Sequence, residues 1–270
     1  MIHSPRILFL LKFIFAQFII TSTICYASGD DRNDKPTLLS TSNSKANWPS
    51  PVMDTEHFGL LLFDLLEYSS VGSKGSLDWD IVGWRGSDTN RLWVKSEGSL
   101  AQSPSRSSSS ADLQLLYGKL VTAFFDAQIG ARLEQAWGNR QNASRVSAVL
   151  GLEGLSLYMF EFEAAIFASD AGQIAARISA SEDFLLTQRA IMQLRLESSG
   201  TAKRSDEFET GSGLNDFSLG LRFRYEFKRE VAPYIGVSWN NFYGETADFR
   251  KRSGGELSEV TAVSGLRIWY

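Results

Sequence analysis

Residues 214–227 read L-N-D-F-S-L-G-L-R-F-R-Y-E-F, a two-residue alternation that fits a β-strand with differently solvated faces. Phe217, Leu219, Leu221, Phe223, Tyr225 and Phe227 fall on one face, while Ser218, Gly220, Arg222, Arg224 and Glu226 fall on the other. Similar segments recur along the chain. They are too many for one soluble core, and their polar faces are densely ionic. A transmembrane β-barrel accounts for both facts, with the apolar face toward lipid and the polar face toward an aqueous lumen. The chain ends Leu266-Arg267-Ile268-Trp269-Tyr270, as a closing barrel strand does.

Twelve such segments run approximately His57–Ser69, Ser76–Gly86, Asn90–Gly98, Asp112–Val121, Phe124–Trp137, Ser144–Gly154, Leu157–Ala168, Gln173–Glu182, Thr187–Ser198, Asn215–Lys228, Ala232–Gly244 and Leu257–Tyr270. A tilted membrane strand needs about 9–11 residues, and an even count suits a single-chain bacterial barrel. The expected fold is therefore all-β, a transmembrane antiparallel up-and-down barrel of about twelve strands spanning 53–270. The longer connections Ala101–Ala111, Ser199–Gly213 and Ala247–Glu256 all join an odd strand to an even one. With both ends of the barrel chain on the periplasmic side, these three face outward, where such barrels carry their long loops.

The first 27 residues have the layout of a secretory signal peptide: Arg6 and Lys12, the apolar run Phe13–Ile20, and small residues before a cleavage point after Ala27. Cleavage there removes Cys25, the single cysteine, and with it any thiol-based metal or redox chemistry. It also removes Arg6 and Lys12, taking the formal charge from −4 to −6, which argues against a nucleic-acid partner. Residues 28–52 are rich in Ser, Asn, Asp and Thr and read as a disordered periplasmic tail.

Charged side chains on the spanning strands must face the interior or the rims. Strand parity sends inward Asp78 and Asp80, then Arg91, Lys95 and Glu97, then Arg177 with Ser179. Arg189, Gln193, Arg195 and Glu197 follow from the ninth segment, and Arg222, Arg224 and Glu226 from the tenth. Two readings stand: an ionic lattice bracing and partly filling the barrel, or an ion path with carboxylates guiding a cation. A one-residue bulge inverts parity locally. Trp93 shares the parity of Lys95 and is expected to stack inside, while Trp79, Trp137 and Tyr270 suit the interfacial girdle. An enzymatic reading lacks a partner for general acid–base chemistry, because His57 is the sole histidine after the signal and stands at the periplasmic start of the first strand. No enzyme is expected.

Four stretches carry a resemblance to a known family. They are Gly83-Trp84-Arg85-Gly86-Ser87-Asp88-Thr89-Asn90-Arg91-Leu92-Trp93-Val94-Lys95-Ser96-Glu97-Gly98, Leu185-Leu186-Thr187-Gln188-Arg189, the run from Leu221 to Trp239, and Gly244-Glu245-Thr246-Ala247-Asp248-Phe249. In this order they resemble the copper resistance protein B family, over about Met53 to Tyr270. The resemblance implies an outer-membrane barrel of copper homeostasis, with lipid around it and a periplasmic multicopper oxidase as working partner. It also implies copper as a transient ligand or cargo. The family's usual Met- and His-rich segment before the barrel corresponds to 28–50, which contains neither residue, so tight copper sequestration by that tail is not expected.

The candidate copper contacts are consequently few. Thioethers favour copper(I), and imidazole suits copper generally. Met53 and His57 would lie about 13 Å apart along an extended strand, too far for one ion unless the chain turns there. They read either as a weak periplasmic entry site or as an interfacial pair. Met159, Glu161 and Glu163 share inward parity on the seventh segment and read either as a transient copper stop or as packing against the lumen. Met192 has lipid-facing parity. The expected function is weak copper binding or copper movement across the outer membrane. The alternatives are a non-transporting scaffold for the oxidase and a general small-solute channel.

Overall fold

The computed structural model describes residues 57–270 apart from 72–73, 103–108, 138–141 and 157–159. The expected signal peptide, the tail, Met53 and Met159 lie outside the described residues. Twelve strands form the barrel: β1 (Phe58–Val71), β2 (Lys74–Gly86), β3 (Asn90–Gln102), β4 (Ser109–Thr122), β5 (Phe125–Trp137), β6 (Ala143–Leu155), β7 (Glu161–Ser169), β8 (Ile174–Leu185), β9 (Ala190–Thr201), β10 (Gly213–Tyr225), β11 (Val231–Phe242) and β12 (Ser258–Trp269). Each pairs antiparallel with its sequence neighbour, and β1 closes on β12, so no edge is left unpaired. Reciprocal hydrogen bonds between Leu61 and Tyr270 finish the seam, at 2.9 and 2.8 Å.

The ladders step register at Leu120/Thr122 between β4 and β5 and at Leu214/Asp216 between β9 and β10, and at the seam β1 carries a further irregularity that strand parity does not reveal. Against β2 the register steps from Phe63↔Ile81 to Leu65↔Asp80, leaving Asp64 as an extra residue. Leu62 and Glu67 have opposite sequence parity, yet Leu62 lines the lumen and Glu67 bonds a lumen arginine. The bulge at Asp64 is what turns both inward.

Two of the three expected long loops are shorter than their composition suggests, because the ladders run on above them. β3 and β4 stay paired to Leu100↔Ser109, and β9 and β10 to Thr201↔Gly213. The third encloses a helix, α1 (Gly244–Arg252), where a loop was expected. It carries Glu245 in its first turn and Arg250, Lys251 and Arg252 in its last, matching the helix dipole, with Gly254 following at φ +74. Its faces lack a clear apolar stripe, and only Ala247 is buried. At the periplasmic end, β7 begins at Glu161, later than alternation suggests.

The outer loops interlock. The N–H of Gly211 donates to Thr246 Oγ1 at 2.8 Å, and Ser212 donates its N–H and its hydroxyl to Glu245 at 3.0 and 3.1 Å. Buried Asn215 accepts from Thr246 at 3.0 Å. Phe208, in the β9–β10 connection, lies 4.1 Å from the guanidinium of Arg145 on β6, so this loop reaches across several strands at the outer mouth.

Candidate functional site

Burial is inverted relative to a soluble protein. The largest fully buried side chains are Lys95, Leu116, Gln114 and Gln128, while Ile129 is 61% and Val260 67% exposed on the outer wall. An ammonium and two amides inside, with branched aliphatics outside, is the distribution of a barrel in lipid. One wall of the lumen is apolar: Trp93, Leu116, Val149, Ala165 and Phe167 form a buried cluster. Gly118 leaves the notch that admits the Trp93 indole, since a Cβ there would stand 2.6 Å from Nε1. Trp79, expected in the girdle, covers Gly98, and its indole N–H points at Ser96 Oγ 3.4 Å away.

The ionic side chains meet across the lumen rather than only along neighbouring strands. Arg195 on β9 holds Asp64 of β1 and Asp80 of β2, each at 2.9 Å, and Arg267 of β12 completes the group at 2.8 Å from Asp64. Lys95 on β3 lies 2.6 Å from Glu153 of β6 and 2.9 Å from Glu163 of β7. Arg177 of β8 makes a two-pronged contact with Glu97 of β3, one prong at 2.7 Å. That geometry is the natural fit of a guanidinium fork to a carboxylate. Arg222 and Glu67 form a buried pair at 2.8 Å, and Arg224 meets Asp183 at 2.6 Å. Toward the outer end Arg132 binds Asp112 at 2.6 Å; toward the periplasm Arg91 binds Asp126 at 3.0 Å and lies 4.8 Å from the Trp84 ring.

Among the described residues, two cavities border this lattice. One, of about 330 Å3, lies on the outer side among Asp78, Glu97, Asp112, Glu134 and Glu197. The other, of about 480 Å3, lies on the periplasmic side among Asp126, Glu153, Glu161 and Glu163, with Trp84 and Trp93. Asp80 and Arg195 border both. Each cavity is lined by six carboxylates against two arginines, and carboxylates still outnumber cations when Arg145 and Arg177 behind the outer lining and Lys95 and Arg267 behind the periplasmic one are counted with them.

The structure places the sequence-derived residues unequally. Asp80, Arg91, Lys95, Glu97, Arg177, Arg195, Arg222 and Arg224 enter the ion pairs above, and Glu197 stands 3.9 Å from Arg195. Asp78 accepts hydrogen bonds from Ser69 and Ser76 at 3.1 and 2.9 Å instead of an ion pair. Arg189 and Glu226 depart from the expected lattice. They lie in the β8–β9 and β10–β11 connections, just beyond the strands whose alternation they continue, and make no ion pair among the described residues. Their backbones meet instead, Glu226 N–H to Arg189 C=O at 2.8 Å. Of the copper candidates, Glu163 is engaged by Lys95, whereas among the described residues Glu161 accepts only the Ser181 hydroxyl, at 3.0 Å. His57 is exposed just before β1. Among the described residues no group of three or more His, Cys, Asp or Glu is placed to hold a metal ion. Asp112, Asp126, Arg132 and Glu153, which pair with the sequence-derived residues or with one another, follow the same parity rule on their own strands, whereas Glu67 lies beyond the β1 bulge that inverts its count. Asp64 was hidden by its own bulge.

A closed barrel of twelve antiparallel strands, aliphatic outside and ionic inside, is a bacterial outer-membrane β-barrel. More particularly, the chain belongs to the copper resistance protein B family, whose model, described as "Copper resistance protein B precursor (CopB)", matches residues 57–270. It is 39% identical over 211 residues to "Copper resistance protein B" of Escherichia coli, covering 78% of this chain and 69% of that protein. It is 37% identical over 207 residues to "Copper resistance protein B homolog" of Pseudomonas syringae pv. tomato, covering 77% and 68%. Among solved structures, the NanC porin is 9% identical with a TM-score of 0.49, covering 78% of this chain and 99% of that one. The KdgM porin is 12% identical with a TM-score of 0.45, covering 78% and 98%.

Proposed function

We propose that this barrel serves copper homeostasis by binding copper weakly in its lumen or moving it across the outer membrane. The observation that carries the reading is the charge of the two cavities, each with six carboxylates against two arginines. Walls of that sign concentrate cations. Carboxylate oxygens are not copper-specific, but divalent copper heads the affinity order of first-row metals at nitrogen and oxygen sites. Weak, exchangeable contacts are what passage requires. Glu161 is the carboxylate of the periplasmic cavity that no cation engages among the described residues, so it is the favoured first contact. Met159 precedes it by two residues and could add a thioether; Met53 and His57 would form an outlying entry site. In this reading the chain is not an enzyme.

A second reading is favoured by the bonds that cross the lumen, Arg195 to Asp64 and Asp80, and Arg177 to Glu97. A braced lumen suits a non-transporting barrel that docks a periplasmic multicopper oxidase. The same bonds weigh against a general small-solute channel. Calorimetric titration of copper into the folded barrel in detergent tests the first reading. Weak, saturable binding reduced by Glu161→Gln supports it, and absence of any saturable heat counts against it. Co-purification of the oxidase with the barrel would favour the docking reading.

A further inference from the structure

The two cavities share part of their lining. The residues common to both are Asp80 and Arg195. Arg195 projects from β9 to Asp80 on β2 and to the bulged Asp64 on β1, with β10, β11 and β12 lying between β9 and β1 in the wall. One planar fork thus spans part of the lumen, its two terminal nitrogens each fixed by a different carboxylate at 2.9 Å. Asp64 keeps a second cation in Arg267, whereas Arg195 is the only cationic partner of Asp80 among the described residues. The outer loop 202–212 lines neither cavity, so the division between them lies in the lumen itself.

We infer that Arg195 is the septum of this barrel: it closes the passage between the outer and periplasmic cavities and determines what passes once opened. Truncating it joins the cavities and leaves Asp64 and Asp80 facing the new neck. Carboxylates at a constriction select cations. The inference deepens the lumen reading above and rests on it only in taking a cation as what passes.

The test is single-channel recording of the purified full chain in planar bilayers, with folding verified by heat-modifiable gel migration. Wild type is expected to give no steady current. Arg195→Ala is expected to give steady steps with a reversal potential of cationic sign in a salt gradient. Arg195→Gln, which keeps much of the side-chain volume but loses the charge, is expected to give smaller steps of the same sign and stands in if the alanine variant does not fold. Arg222→Ala breaks a buried ion pair that borders neither cavity and is expected to stay closed. The assignment is overturned if folded Arg195 variants remain silent, if wild type already conducts with the same unit current, or if Arg222→Ala opens the barrel equally. Copper content of cells lacking the protein separates this from the copper reading. Conducting Arg195 variants with no copper phenotype in the null strain leave the septum standing and remove copper as cargo. Silent variants with a clear phenotype do the reverse.

Discussion

Lys95→Ala removes the most deeply buried charge in the lumen, an ammonium whose side chain is 2% exposed between Glu153 and Glu163. Deleting one member of a buried ion pair costs about 3–5 kcal/mol, because the remaining charge is stranded. Here two features lower the cost. Gln128 still donates to Glu153 at 2.7 Å, and Arg177 stands 3.8 Å from Glu163. Both glutamates are also about a quarter exposed, at 26% and 24%, so water reaches them. The expected loss is therefore at the lower end, about 3 kcal/mol, or roughly a 150-fold drop in the folding equilibrium. The assay is reversible urea unfolding of the barrel in lipid vesicles, followed by tryptophan fluorescence and gel mobility. Adding Glu163→Gln to Lys95→Ala should recover part of the loss, because it removes one of the stranded charges. A single variant within about 1 kcal/mol of wild type, the size of an exposed pair, would refute the claim that this lattice braces the barrel.

Asp64→Ala leaves Arg267 without its carboxylate and halves the hold of Arg195, so it is expected to lower stability by about 2 kcal/mol, read as a lower urea midpoint; an unchanged midpoint would mean the backbone ladder alone holds the seam. Gly118→Ala pushes a methyl against the Trp93 indole, which is 6% exposed and hemmed in by its apolar cluster, with an expected cost of about 1–3 kcal/mol and an altered tryptophan emission. The Ser212 N–H and hydroxyl hold the Glu245 carboxyl below its ordinary value, so the outer-loop contact is complete above the usual glutamate range and is lost as pH falls through the depressed value. Protease cleavage within 202–212 is accordingly expected to be slow at neutral pH and to quicken in acid, with Glu245→Ala cut quickly throughout; a wild-type rate independent of pH would dismiss the contact.

Most of the wall was legible in the sequence because lipid and lumen impose opposite demands on successive residues. The run from Phe217 to Tyr225 occupies β10 with its aromatics outward and Arg222 and Arg224 inward. What alternation does not encode is where the ladder stops. Arg189 and Glu226 continue the pattern by parity but sit in turns, where side-chain direction no longer follows a period of two. Asp64 shows the other failure, a single extra residue that aims both Leu62 and Glu67 inward against their count. Helix α1 had only end signals, Glu245 and the run Arg250–Arg252, with no apolar stripe between them. Parity named the lumen charges but not their partners, because pairs such as Arg177–Glu97 join residues 80 apart across the barrel.

Copper accumulation and survival at raised copper, in cells lacking this protein and in the same cells complemented with wild type or Met159→Ala, test the central claim most directly. The account expects the null strain to differ from its parent in copper content and wild type to restore it. Failure of Met159→Ala to restore would put that thioether on the route, and restoration by both would leave the carboxylates to do the handling. A null strain indistinguishable from its parent in both copper content and survival would contradict the account.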